Sequence, residues 1–280
     1  MYVMSTKLTV TPLNNVFLPP FTSKVTRTAF TALTGVEPRL GRRRASFSVL
    51  FRDGKPLYRT LRSKGKNRGG VGDKGFMQAR KGERLEARYS LLVEEPQPPP
   101  SPTARFSLGG AEFMAVVEQI EVCEVEEAGI EVPDRFMLRF LTPTLLPVPG
   151  RGKLLQETGV KRRYRLVPDL PLALMLAAHD LGKQGLNLLR NTPARIFGWS
   201  YRALAEMDYG AKPVTALYTY REGKPAVERG FTGWVSYELL DRDGRYLRDL
   251  GLLLGFALRF GLGKSRSIGF GHVELIPFHS

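Results

Sequence analysis

Gly261–Gly271 reads GLGKSRSIGFG, and what flanks this stretch decides the fold. Four glycines (Gly261, Gly263, Gly269, Gly271) bracket Lys264, Ser265, Arg266 and Ser267. Glycine admits φ > 0 and close approach of a backbone. Two cations and two hydroxyls set between such glycines suit an anionic, phosphate-like ligand. Upstream, Leu250, Leu253, Leu254, Ala257 and Leu258 recur at helical spacing and form one apolar stripe. Downstream, 271–278 reads as a closing strand, so the loop joins a helix to a final strand. A Walker loop would need glycine where Leu258 stands, and a dinucleotide fingerprint would need it where Arg266 stands. Neither nucleotide motif fits. A Gly-rich turn with exposed cations is the plainer alternative.

Charge points the same way as the loop. The 280 residues carry 42 Lys+Arg against 27 Asp+Glu, a formal net charge of +15. Such an excess favours a polyanionic partner, nucleic acid ahead of a membrane surface. The stretch 111–134 holds eight carboxylates and no Lys or Arg, so one acidic face is expected to point away from the ligand. The single cysteine, Cys123, leaves no internal disulfide and fits a reducing, cytoplasmic setting. No signal peptide or apolar run of spanning length is read, so no membrane association is expected. The three histidines, His179, His272 and His279, lack metal-ligand spacing, and neither a metal site nor a cofactor is expected.

Length supports two ordinary domains. Lys7 to Thr11 alternates like a first strand, and Thr22 or Ser23 caps a helix that Gly35 stops. On that helix Val25, Ala29, Ala32 and Leu33 share one side, while Lys24, Arg27, Thr28 and Thr31 share the other. Asp53-Gly54 marks a hairpin between 46–52 and 55–61, followed by a basic, Gly-rich loop over 62–74. Strands are expected over 84–93, 106–127 (turning near Gly109-Gly110) and 135–142. The proline- and glycine-rich stretch 143–152 is the candidate boundary, dividing the chain into 1–147 and 148–280. The second half opens with a basic strand over 161–167 that includes Arg162 and Arg163. Helices from Pro168 to 181 and from Pro193 to 207 follow, then a hairpin of 213–221 with 227–240 around Glu222-Gly223. Strand, helix, hairpin, helix, strand is the split βαβ order of a ferredoxin-like or RRM-like domain. The first half shows the same opening with a less clear second helix. The fold class is therefore α+β: tandem ferredoxin-like domains with a C-terminal glycine-rich loop.

RGFTGWVSYEL at 229–239, KGERLEARYSLL at 81–92, FSLGGAEFMAVVEQIEV at 106–122 and RFLTPTLL at 139–146 accompany the loop. Together they resemble the CRISPR pre-crRNA processing endoribonuclease family of the RAMP superfamily, over nearly the whole chain. The resemblance implies RNA held against the cleft between two ferredoxin-like domains. It also implies metal-independent cleavage of CRISPR repeat RNA, with a 2′,3′-cyclic phosphate and a 5′-hydroxyl as products. Many members of that family carry a histidine near the first helix; this chain has none before His179, which resembles a histidine-lacking, archaeal-like type. Lysine among other cations then serves for proton transfer, and arginine for charge stabilisation. On that reading Lys24 or Lys55 moves protons, while Arg27 and Arg229 stabilise the phosphate. The loop (Gly261, Gly263, Lys264, Ser265, Arg266, Gly269, Gly271), with Arg162 and Arg163, binds the RNA backbone. Tyr58 is a weaker, structural candidate. A homodimer and a CRISPR effector complex stand as open assemblies. Two other readings share the charge: a non-catalytic RAMP subunit that grips crRNA, and a basic RNA-binding protein unrelated to CRISPR.

Overall fold

The computed structural model describes residues 1–38, 44–61, 77–148 and 164–278. Its first half holds β1 (Tyr2–Pro12), β2 (Val16–Phe17), α1 (Ser23–Thr34), β3 (Ala45–Phe47), β4 (Phe51–Arg52), β5 (Lys55–Pro56) and β6 (Arg59–Leu61). Then come β7 (Gln78–Ala79), β8 (Leu85–Val93), β9 (Thr103–Leu108) and β10 (Ala111–Glu124). One sheet runs β5-β4-β8-β1-β10-β9, with β3 also paired to β8. With β3 and β4 taken as one interrupted strand, its centre is the ferredoxin-like order: fourth, first, third, second. Met4, Leu8 and Val10 of β1 alternate inward and meet Val25, Ala29, Phe30 and Leu33 of α1. Thr26 and Phe30 are buried on α1 while Ala32 is exposed, so the apolar stripe lies one position away from the expected face.

No helix stands between β8 and β10. Phe106 and Leu108 of β9 fold instead over the same core, with Phe106 stacked on Phe113 at 5.3 Å. That hairpin covers sheet surface that a second helix would otherwise cover. Asp53 and Gly54 take φ of 49° and 71°, as a two-residue hairpin with two left-handed positions requires. Its strands are short: Phe51–Arg52 pairs with Lys55–Pro56, and Leu57 N–H donates to Leu50 O just beyond. Beyond Pro56 the chain leaves the first sheet, and β6 joins the second.

The second half contributes β11 (Arg135–Thr144), β12 (Leu146–Pro147), β13 (Tyr164–Arg165), α2 (Leu170–Lys183), α3 (Pro193–Ala203), β14 (Leu204–Arg221), β15 (Lys224–Leu239), α4 (Gly244–Phe260) and β16 (Val273–Pro277). The second sheet runs β16-β11-β15-β14-β6, again the ferredoxin-like order with one strand borrowed from the first half. α3 stops at Ala203, short of the expected 207, because Leu204 already pairs with Leu239. Asp169 and Thr192 accept the capping hydrogen bonds of α2 and α3 from Leu172 and Arg195. The change of sheet falls between β10 and β11, whereas the sequence boundary after residue 147 falls two strands later, beyond β11 and β12. The proline-rich stretch was the strongest break signal, yet β11 before it already pairs with β15 and β16. The basic loop 62–74 and residues 161–163 lie outside the described residues. Among the described residues no helix is long and apolar enough to cross a membrane.

The halves meet at a small core of Phe21, Val49, Phe51, Leu145, Ala216 and Phe270. Phe21 stacks on Phe270 with ring centroids 4.4 Å apart and planes 12° apart. Truncation of Phe21 leaves a void between the halves, and Phe21→Ala is expected to cost about 3–5 kcal/mol in urea unfolding. A loss below ~1 kcal/mol would show that the contact is not structural. Beside this core His272 is buried; its ring hydrogen-bonds the Phe47 carbonyl while Nε2 has no protein partner. Burial first, and Arg88 second, push its pKa down to about 3. Because the unfolded chain takes up the proton first, stability is complete above pH 6.5 and falls as pH drops towards 3. Between pH 7 and 5 the His272 contribution is a loss of about 2 kcal/mol. His272→Gln is expected to flatten that acid limb by the same amount; parallel limbs would refute it.

Candidate RNA site at the glycine loop

α4 is buried along most of its length and ends where Gly261 N–H donates to the Ala257 carbonyl at 2.7 Å. The loop then closes on itself: Leu262 N–H donates to Gly271 O at 2.8 Å. Lys264 N–H donates to Leu145 O at 2.9 Å and Gly271 N–H to Pro143 O at 3.1 Å, which seats the loop on the end of β11. A Cβ at Gly269, where φ is 93°, would stand 2.8 Å from the Ser23 Cβ and 3.0 Å from the Phe21 ring. Only glycine lets the loop approach α1 this closely. Ser23 Oγ donates to Ile268 O at 2.6 Å, and Ser46 Oγ to Arg266 O at 3.2 Å. Two serines of the first half therefore hold two carbonyls of the loop.

Gly261, Gly269 and Gly271 are buried against protein, where the lack of a side chain lets the loop pack. Gly263, Lys264, Ser265, Arg266 and Ser267 remain partly exposed around a cavity of about 270 Å³. Arg266 is turned inward to Asp180 of α2, at 3.1 Å. Lys264 acts electrostatically on Glu228 of β15, a carboxyl raised by burial and held down by that lysine.

Lys24 reaches from α1 into the second half. Its Nζ donates to Thr219 Oγ1 at 3.0 Å and lies 5.7 Å from the centre of the Tyr218 ring, both on β14. Tyr218 also packs against Phe21 and Phe270, at 5.9 and 6.3 Å. Lys24 and the loop thus share one aromatic wall, and Ser23 beside Lys24 binds the loop directly. Arg27 follows on the same helix, half-buried and without an ion-pair partner among the described residues. Lys55 is not brought to this group; it stands exposed at the hairpin end, opposite Arg52, which pairs with Glu83 at 2.6 Å. Arg229 is exposed opposite Thr215, and alternation along β15 sends it to the face away from Glu228. Arg162 and Arg163 lie outside the described residues.

Tyr58 has its phenol raised to about 12 by burial, against a Thr232 hydrogen bond that lowers it, and its ring sits 5.8 Å from Phe21. It belongs to the junction between the halves. Tyr218, Thr219, Glu228 and Asp180 escaped the sequence reading. Tyr218 and Thr219 alternate in a strand like any others, and Asp180 sits in the last turn of an apolar helix with no local motif. Among the described residues no group of three or more His, Cys, Asp and Glu is gathered in metal-binding proximity.

Comparison with known proteins agrees with this architecture at both ends of the chain. Residues 4–123 match the family description "Cas6 N-terminal domain", and residues 138–273 match "CRISPR-associated endoribonuclease Cas6". The chain is 30% identical over 177 residues to CRISPR-associated endoribonuclease Cas6 2 of Saccharolobus solfataricus, across 58% of this chain and 59% of that relative's length. It is 27% identical over 209 residues to Cas6 1 of the same organism, across 70% of each. A solved Cas6 product complex superposes with a TM-score of 0.61 over 98% of this chain and 99% of that one, at 16% identity. The shared fold is the tandem ferredoxin-like arrangement already traced strand by strand. With both halves matched in turn, this protein belongs to the Cas6 family of CRISPR-associated endoribonucleases.

Proposed function

We propose that this protein cuts CRISPR repeat RNA within pre-crRNA, at the junction of α1 and the glycine loop, without a metal ion. The observation that carries the reading is Lys24. Its ammonium leaves α1, is held by Thr219 and the Tyr218 ring, and stands beside a loop bearing Lys264 and two serines. In the reaction the 2′-hydroxyl attacks its own phosphate, the phosphorus–O5′ bond breaks, and the products are a 2′,3′-cyclic phosphate and a 5′-hydroxyl. Lys24 delivers the proton to the departing O5′, and Arg27 beside it stabilises the phosphorane charge. Lys264, Ser265 and Ser267 hold the adjacent backbone. Lys55 and Arg229 stand outside this group, so the 2′ proton passes to solvent water.

Labelled repeat RNA incubated with the protein in EDTA is expected to yield the cyclic-phosphate product. Bound but uncut RNA would favour the crRNA-gripping alternative, to which the lack of any histidine before His179 also leads. Lys24→Ala is expected to lower the single-turnover rate about 10²–10⁴-fold with affinity nearly retained. An unchanged rate would remove Lys24 from the chemistry. Lys264→Ala is expected to weaken binding and to reduce the slope of log affinity against log salt by about 1. A slope equal to wild type would show that Lys264 neutralises no phosphate.

A further inference from the structure

We infer that Asp180 is a positioning residue of the RNA site, clamping Arg266 so that the glycine loop keeps its binding shape. This inference rests on the RNA-binding reading of the loop. Arg266 Nη2 donates to Asp180 Oδ2 at 3.1 Å, and the two side chains are only 15% and 19% exposed. Nη1 of the same guanidinium donates to Gly261 O at 3.4 Å, so one planar fork ties α2 to the first residue of the loop. The main chain of Arg266 is held as well, its carbonyl accepting from Ser46. Just before it, Ser265 is a non-glycine residue at φ 61°. A residue kept in that conformation persists where its surroundings over-determine it. The Asp180–Arg266 pair, the two serine contacts and the Leu145 hydrogen bond are those surroundings.

Two roles for Arg266 predict effects of opposite sign when Asp180 is neutralised. If Arg266 were a phosphate ligand, Asp180 would be a competing anion, and Asp180→Asn would tighten RNA binding. A clamp behaves otherwise, because removing one partner of a nearly buried pair leaves the other charge uncompensated and the loop unfastened. Lysine, a point charge without the fork, does not restore both contacts of Arg266.

The test is titration of labelled CRISPR repeat RNA at several salt concentrations, with melting curves to verify folding. Asp180→Asn and Arg266→Gln are each expected to weaken binding about tenfold with the salt slope of wild type, and the double variant no more than either alone. Arg266→Lys, which keeps the charge, is expected to show the same loss. Tighter binding by Asp180→Asn, additive losses, or a slope reduced by about 1 in Arg266→Gln would overturn the clamp. If wild-type protein bound no repeat RNA, the RNA reading would fall by itself. Amide hydrogen exchange at 263–269 would then decide the clamp: faster exchange in Asp180→Asn supports it, and unchanged exchange overturns it.

Discussion

Phe21 and Phe270 lie face to face at 4.4 Å, and the contacts that join the glycine loop to α1 gather around that pair. Ser23 binds Ile268 two residues from one ring, and Gly269 slides beneath the helix start next to the other. Thr22 is drawn in as well: its hydroxyl donates to Leu57 O and accepts from Leu50 N–H, both at 2.7 Å. The residue that should cap α1 with its side chain is thus spent on anchoring the hairpin. Helix, hairpin and loop are fixed to one another by a few short contacts around two stacked rings.

Electrostatics follow from that packing. A strongly basic chain does not place all its cations at the site: Arg266 and Arg52 are engaged by Asp180 and Glu83. Arg88 lies among Glu274, Glu86 and Glu121 beside His272 and the Phe51 ring. The acidic stretch over 111–134 likewise forms β10 and the turn beyond it, with Glu118 pairing with Arg84. Among the described residues, Lys24, Arg27 and Lys264 lie on α1 and the loop, and Lys264 acts on the Glu228 carboxylate.

Much of this was legible in the residues themselves. The Gly35 stop, the Asp53-Gly54 and Glu222-Gly223 turns and the helix before Gly261 are local features, written in spacing and φ preference. The glycine loop could be found, but not what its glycines were for, since burial against Ser23 or Leu145 is a tertiary fact. The exchange of β6 between sheets could not be read either: 59–61 has the same alternation whichever strand it joins. The missing second helix of the first half was betrayed only by prolines over 96–102, because a hairpin and a helix can cover the same apolar surface. Lys24 was legible as a cation on a polar face, whereas its hold by Thr219 required the other half of the chain.

The Ser23–Ile268 hydrogen bond spans 245 residues of sequence. A ribosome making this chain releases α1 long before the glycine loop. Loop closure over so long a span is slow compared with forming either sheet. The seam between α1 and the loop therefore forms only after both have emerged, and a polypeptide halted between them would carry much basic charge without the contacts that organise it.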